Sequence, residues 1–386
     1  MRICLVSDQY FSRFSGIGLY TNNLVEGLIE RGYEVVLVCN EKPMFKVERF
    51  EYIYLPPFKW DPTHSHWASF NLRLFRRILN LQESYGFDIF HSLDARQGAL
   101  GAKRLAIPTV GSVNDYYFAV SSFNPFYFFK EYRNDWWRRY LYNHFTKTFE
   151  RWMLHYYDAL ITNSQATGEA IVKAYKLPPR KIHKIYKAIP HFPENKTPIR
   201  EREDGAYRLL LVGRNLQRKG IYYLIKAAPQ IIQEYKNIKF IVVGQIQDRM
   251  LYECDRLKLR NNFIFYNMLP PERVHSLYRE VDLFILPSLI EGLGVTVIEA
   301  MSYGLPIIAT HVGGLRDLIE DEKNGLLIAP RSSEAIASSV IRLLSDKALR
   351  ESISRNNFQS ARQFNREKLV EETMQLYQRL KEEGDS

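Results

Sequence analysis

Short apolar runs alternate with amphipathic stretches along the whole chain. In the first half, Ile3–Ser7 predicts a strand, Ile17–Glu30 a helix and Glu34–Cys39 a second strand. A helix near His66–Glu83 follows, then strands at Asp88–Leu93 and Thr109–Val113. A long helical stretch runs to Tyr157, ahead of a strand over Ala159–Asn163. Ser164 stands where the N-cap of a helix over Gln165–Tyr175 belongs.

The rhythm breaks near 190–206. Pro190, Pro193 and Pro198 are followed by the charged run Arg200-Glu201-Arg202-Glu203-Asp204-Gly205, which marks 191–206 as a linker. Strand and helix patterns then resume. Strands are expected at Leu209–Val212, Phe240–Val243, Phe263–Tyr266, Leu283–Leu286, Pro306–Ala309 and Gly325–Ile328. Helices are expected at Gly220–Tyr235, Leu251–Leu259, Ser332–Ser345 and Arg366–Lys381. Strands alternating with helices imply parallel sheets wrapped on both faces. The reading is therefore α/β: two doubly wound, Rossmann-like domains, 1–190 and 207–364, facing across a cleft. Such sheets bind ligands at the carboxyl ends of their strands.

Composition fits that reading. A chain of 386 residues has room for two or three domains. With 46% hydrophobic and 25% charged residues it is neither disordered, collagen-like nor a disulfide-stapled miniprotein. Cys4, Cys39 and Cys254 offer no disulfide framework and no zinc spacing, which points to a reducing, cytoplasmic setting. No apolar run is long enough to span a membrane. Arg2-Ile3-Cys4-Leu5-Val6-Ser7 reads as a first strand and not as a secretory signal.

The net charge of +10 is uneven. Residues 1–190 carry 25 Lys/Arg against 17 Asp/Glu, and 191–386 carry 28 against 26. A basic first half suits lipid headgroups, a phosphorylated acceptor or nucleic acid; a generally basic proteome would give the same excess.

Three turns carry candidate chemistry. Gly16-Ile17-Gly18 joins the first strand to the first helix, where glycines let the backbone approach a ligand. A tight turn alone would need the same residues. Position 21 is Thr21, so the full G-x-G-x-x-G is absent, and neither Glu41 nor Asp61 reads as a ribose-binding acid. Second, the strand Leu209–Val212 ends in Gly213-Arg214, and Lys219-Gly220 opens the next helix. The two cations could reach one diphosphate, or be solvated at a turn. Third, Glu291-Gly292-Leu293-Gly294 follows a hydrophobic strand, with Glu299 one turn into the next helix. Helix N-terminal amides suit phosphate oxygens, whereas carboxylates suit hydroxyls; together they describe a nucleotide-sugar. A solvent-facing Glu299 on an amphipathic helix is the plain alternative. No Asp-x-Asp and no His/carboxylate metal spacing occurs, so no metal is expected.

With Gly213-Arg214, Lys219-Gly220, Glu291 and Glu299 with seven residues between them, and Gly313-Gly314, the sequence resembles the family 4 retaining glycosyltransferases of GT-B fold. The likeness is close over about 207–330, moderate over 1–40 and loose between. It implies that Arg214 and Lys219 bind the donor diphosphate, that Glu291 contacts the donor sugar and that Glu299 holds ribose hydroxyls. It places Gly18, Gly213, Gly292 and the amides of Leu293 and Gly294 beside the donor. It implies an acceptor-binding first domain, with helix 365–383 packing back on it, and a donor-binding second domain. Where many members have His-Asp, this chain has Asn114-Asp115; an amide cannot act as general base, so Asn114 could only hydrogen-bond. Another departure is Lys187-Ala188 in place of Asn-Gly. His91 matches a frequent family histidine and suits a structural or an acceptor-side role equally.

The mechanism that follows is front-face transfer with retention, without a protein nucleophile. The departing diphosphate takes the acceptor proton, and its charge falls to Arg214, Lys219 and helix dipoles, with no cofactor. Residues 116–157 hold 18 aromatics in 42 positions, among them Trp136 and Trp137, interleaved with Arg133, Arg138, Arg139, Lys147 and Arg151. That mixture suits a lipid–water interface, hence an anionic inner membrane face and a lipid-linked or cell-envelope glycan acceptor. Aromatics packed in the core would explain it as well. The alternatives are a soluble sugar or sugar-phosphate acceptor, an epimerase of the same fold, and a basic-aromatic nucleic-acid-binding protein. The paired glutamates have no use in the last, so no nucleic acid is expected.

Overall fold

A computed structural model of the chain describes residues 1–11, 16–58, 67–116, 136–199 and 206–385, with 136–143 and 385 described by backbone alone. The chain divides into two compact units. Met1–Ala188 and Arg366–Ser386 form the first, Ile189–Asn365 the second.

The first unit is built on seven parallel strands: β1 (Arg2–Ser7), β2 (Glu34–Cys39), β3 (Glu51–Tyr54), β4 (Ile89–Ser92), β5 (Thr109–Val113), β6 (Ala159–Thr162) and β7 (Ile182–Lys184). Their order across the sheet is β3-β2-β1-β4-β5-β6-β7. Ile3 lies between Val35 and Ile89, so β1 is central, and it is buried on both faces from Ile3 onward. Burial on both faces is why this strand reads as one apolar run. The edge strands β3 and β7 were not expected. Glu51-Tyr-Ile-Tyr and Ile182-His-Lys are short and half-exposed, so neither carries the apolar signature of a central strand.

Helices Gly16–Glu30, Trp67–Tyr85 and Gln165–Tyr175 flank the sheet. Ser164 caps the last, its hydroxyl accepting from the Thr167 amide at 3.1 Å. The helix Ala95–Ala102 was not expected; Asp94 caps it by accepting from the Arg96 amide. The terminal helix Arg366–Asp385 packs Leu369, Val370, Met374 and Tyr377 into the same core as Ile3, Leu24 and Leu28. Ion pairs from Arg366 to Glu30 (2.9 Å) and from Lys381 to Asp88 (2.7 Å) flank that contact.

The second unit has six parallel strands: β8 (Arg208–Val212), β9 (Lys239–Val243), β10 (Phe263–Tyr266), β11 (Leu283–Leu286), β12 (Ile307–Thr310) and β13 (Leu326–Ile328). They lie in the order β10-β9-β8-β11-β12-β13. The chain fills one side of β8 and then crosses to β11 on the other. The carboxyl ends of β8 and β11 are therefore the topological switch point, where open parallel sheets leave a crevice for ligand. Helices Ile221–Glu234 and Ser333–Ser345 cover a core of Leu209, Leu211, Phe240, Ile285 and Ile308. The helices Pro271–Glu280 and Lys347–Ser360 were not expected from the pattern.

Of the stretch expected as linker, 200–205 lies outside the described residues. The part before it packs on the second unit: the Ile189 amide bonds to the Phe364 carbonyl (3.0 Å) and the Thr197 amide to the Tyr303 carbonyl (2.7 Å).

Candidate functional site

The switch point of the second unit gathers two of the three turns picked out from the sequence, those after β8 and β11. Gly213 extends the ladder of β8 through its amide, bonded to the Val243 carbonyl at 3.0 Å. The loop Arg214–Lys219 ends at Gly220, the N-cap of helix Ile221–Glu234. Gly220 has φ 79°, and a Cβ there would sit 1.9 Å from the Pro287 carbonyl oxygen. Only glycine permits both that backbone and that approach. The loop after β11 is laced to the loop after β8, with the Leu289 amide on the Arg218 carbonyl (2.9 Å) and the Arg218 Nε on the Ile290 carbonyl (3.3 Å).

Within this frame the Lys219 ammonium forms an ion pair with Glu291 Oε2. The side chains are 15% and 9% exposed, so the pair is largely withdrawn from water. Ser288 Oγ donates to the same carboxylate at 3.3 Å, and the Gly314 amide holds the Glu291 carbonyl at 3.2 Å. The Lys219 stem lies over Gly213, where any Cβ would come within 2.7 Å of Lys219 Cγ. Arg214 is exposed beside it and has no ion-pair partner among the described residues. Sequence reading set Lys219 and Glu291 at opposite ends of a ligand; the structure brings their side chains into contact.

Gly292, Leu293 and Gly294 are buried and lead into helix Val295–Ser302, with Gly294 as its N-cap. Glu299 is partly buried one turn in and accepts a hydrogen bond from Tyr278 Oη at 2.9 Å. Burial pushes its carboxyl up to about 7, and the Tyr278 bond opposes that rise. Tyr278 was missed in sequence, where it is one more aromatic on the amphipathic helix Pro271–Glu280. Ser288, three residues ahead of Glu291, drew no role from the sequence.

In the first unit, Gly18 is buried in the first turn of helix Gly16–Glu30. His91 is wholly buried. Its Nδ1 bonds to Tyr377 Oη at 2.5 Å and its Nε2 to Ser112 Oγ at 2.8 Å. Burial pushes its pKa down to about 3, so the ring is neutral. The structure thus places His91 in the interior of the first unit. Asn114 spends its amide on the Leu93 carbonyl (2.7 Å), while the Asn163 amide holds the Asn114 carbonyl (2.8 Å). Asp115 is partly buried next to it.

Buried charges also follow β4 and β7: Asp94 was passed over in the sequence, and Lys187 was noted only as a departure from Asn-Gly. Asp94 is buried and paired with Arg96 at 2.7 Å. Lys187 is buried, donates to the Gly16 carbonyl at 3.3 Å and lies 5.2 Å from the Tyr20 ring centre. Burial lowers its pKa to about 8 against the opposing pull of Asp94 and Asp115. In the sequence they are a lone Asp just after β4 and a lone Lys just after β7, which spacing does not connect. The side chains of Trp136 and Trp137 lie outside the described residues, as do 117–135; the helix Trp136–Met153 begins at those two tryptophans. Among the described residues, no helix is long and apolar enough to cross a membrane.

Known proteins resemble this chain in sequence and in fold. The family described as Glycosyltransferase Family 4 matches residues 14–191, and Glycosyl transferases group 1 matches 192–360. An uncharacterised glycosyltransferase of Methanocaldococcus jannaschii is 26% identical over 98% of both chains. The alpha-monoglucosyldiacylglycerol synthase of Streptococcus pneumoniae is 25% identical over 85% of this chain and 75% of its own length. The Anabaena protein HepE, solved with UDP-glucose, superposes with a TM-score of 0.71 at 16% identity, covering 98% of this chain and all of its own. Two parallel-sheet units, a laced switch point and two adjoining family matches lead to one assignment: the chain belongs to the family 4 glycosyltransferases of GT-B fold.

Proposed function

We propose that this glycosyltransferase moves a hexosyl group from a nucleotide-diphosphate sugar to a lipid-linked or cell-envelope glycan acceptor, with retention at the anomeric carbon. The observation that carries the donor reading is the Lys219–Glu291 pair at the second unit's switch point, beside exposed Arg214. A donor diphosphate would draw the Lys219 ammonium and the Arg214 guanidinium. It would thereby release Glu291 to accept a sugar hydroxyl. Glu299 would take the ribose, and the amides of Gly292, Leu293 and Gly294 the phosphate or sugar. Charge on the departing diphosphate falls to these cations and amides, with no metal or other cofactor, and its oxygen accepts the acceptor proton. Asn114 and Asp115 serve the acceptor side by hydrogen bonding.

The lipid reading is supported by the name of the Streptococcus pneumoniae relative and by the first unit's own surface. Phe145 and Trp152 are 55% and 47% exposed near the basic residues Lys103 and Arg151. This favours a peripheral cytoplasmic enzyme on the inner membrane face.

The donor reading is tested by thermal shift against UDP-, GDP- and ADP-sugars. One class should raise the melting temperature, and Lys219→Ala should abolish the rise. An unchanged melting temperature with all three would sink it.

A further inference from the structure

We infer that Tyr278 is a positioning residue: its hydroxyl holds Glu299 Oε2 so that Oε1 faces a ribose hydroxyl of the donor. This rests on the ribose role proposed for Glu299. Tyr278 Oη donates to Oε2 at 2.9 Å, and Oε1 takes no hydrogen bond among the described residues. The Tyr278 ring cannot drift. It is wholly buried, stacked on Tyr303 at 5.3 Å and 22°, and Tyr303 Oη is bonded to His275 Nδ1 at 3.0 Å. Its own backbone carbonyl is held by Thr197 Oγ1 at 3.1 Å. Helix Pro271–Glu280 thus aims a carboxylate carried by helix Val295–Ser302.

The hydroxyl has a second effect. Only ionised Glu299 accepts at both oxygens, and burial favours its neutral form. Tyr278 opposes that shift. The other titratable groups nearby are Tyr303, and beyond it Arg279, His275 and His191. Donor affinity should therefore fall as pH drops through about 7, and the fall should begin at higher pH without the hydroxyl.

The test compares Tyr278→Phe, which keeps the ring, with Glu299→Gln in the full chain. The probes are UDP, GDP and ADP, each against its 2′-deoxy form, followed by calorimetry from pH 6 to 9. Wild type should prefer the ribonucleotide. Tyr278→Phe should weaken it about tenfold, narrow the preference and move the acid limb upward. Equal melting temperatures for wild type and Tyr278→Phe would set folding aside; if the variant melts early, the wild-type pH profile is read instead, and an affinity that stays level from pH 8 to 6 overturns the role. Loss of affinity in Glu299→Gln with none in Tyr278→Phe overturns the positioning role and leaves the donor site intact. No effect of Glu299→Gln overturns both.

Discussion

Lys219 Nζ and Glu291 Oε2 form an ion pair although 72 residues separate them in the chain. The contact exists because β8 and β11 are sheet neighbours, with Leu283 beside Leu209 and Phe284 beside Leu210. Removing one partner leaves the other charge in a place largely closed to water. Lys219→Ala should cost about two orders of magnitude in turnover, and about 1–3 kcal/mol in stability. Adding Glu291→Gln should recover part of the stability and none of the turnover. A double-mutant cycle in urea separates the two, and additive stabilities would deny the coupling.

Gly220→Ala should unfold or strongly destabilise the second unit. The substitution demands a left-handed φ and drives a methyl group to within 1.9 Å of the Pro287 carbonyl. A cost above about 2 kcal/mol is expected, read as a lowered denaturation midpoint. A normal midpoint would mean the two loops are not laced as described.

The terminal helix is anchored by a polar bond inside an apolar core. Tyr377→Phe leaves His91 Nδ1 without its partner in a fully buried site, at an expected cost of about 1–2 kcal/mol. Hydrogen exchange over Arg366–Asp385 should rise more than over the strands of the second unit. A uniform change across the chain would argue against the anchor. The neutral ring also sets a pH dependence. Its folded pKa, near 3, lies below the ordinary 6.5, so its contribution is whole above 6.5 and is lost as pH falls toward 3.

Glu150 works in the opposite direction. It is buried, accepts a hydrogen bond from Tyr175 Oη, and is pushed by burial from 4.5 up to about 7. The folded state then binds more protons than the unfolded one between those values, so stability declines as pH rises through that window. Glu150→Gln keeps an acceptor for Tyr175 and removes the titration. Its melting temperature should exceed wild type at pH 8 and match it near pH 5. A wild-type advantage at pH 8 would overturn this.

Membrane docking through the helix Trp136–Met153 has its own readout. Wild type should pellet with anionic liposomes in low salt, and Phe145→Ser with Trp152→Ser should lower the bound fraction several-fold. Equal pelleting of both would remove these exposed rings from the interface and leave a soluble acceptor as the better reading.

Much of the architecture was legible because central parallel strands are buried on both faces and write themselves as apolar runs. Ile3–Ser7 and Leu283–Leu286 are such runs, and the glycines after Val212 and before Val295 mark the turns that bear chemistry. Strands at the rim leave no such trace; Glu51–Tyr54 and Ile182–Lys184 became visible only once their neighbours were in place. The sequence could name Lys219, Glu291 and Glu299, because their residue types and spacing are local facts. It could not show that Lys219 rests on Glu291, that Tyr278 holds Glu299, or that His91 is enclosed by Tyr377 and Ser112. Those are contacts between segments far apart in the chain, fixed by strand order and helix packing, and no local pattern encodes which distant side chain will complete a buried hydrogen bond.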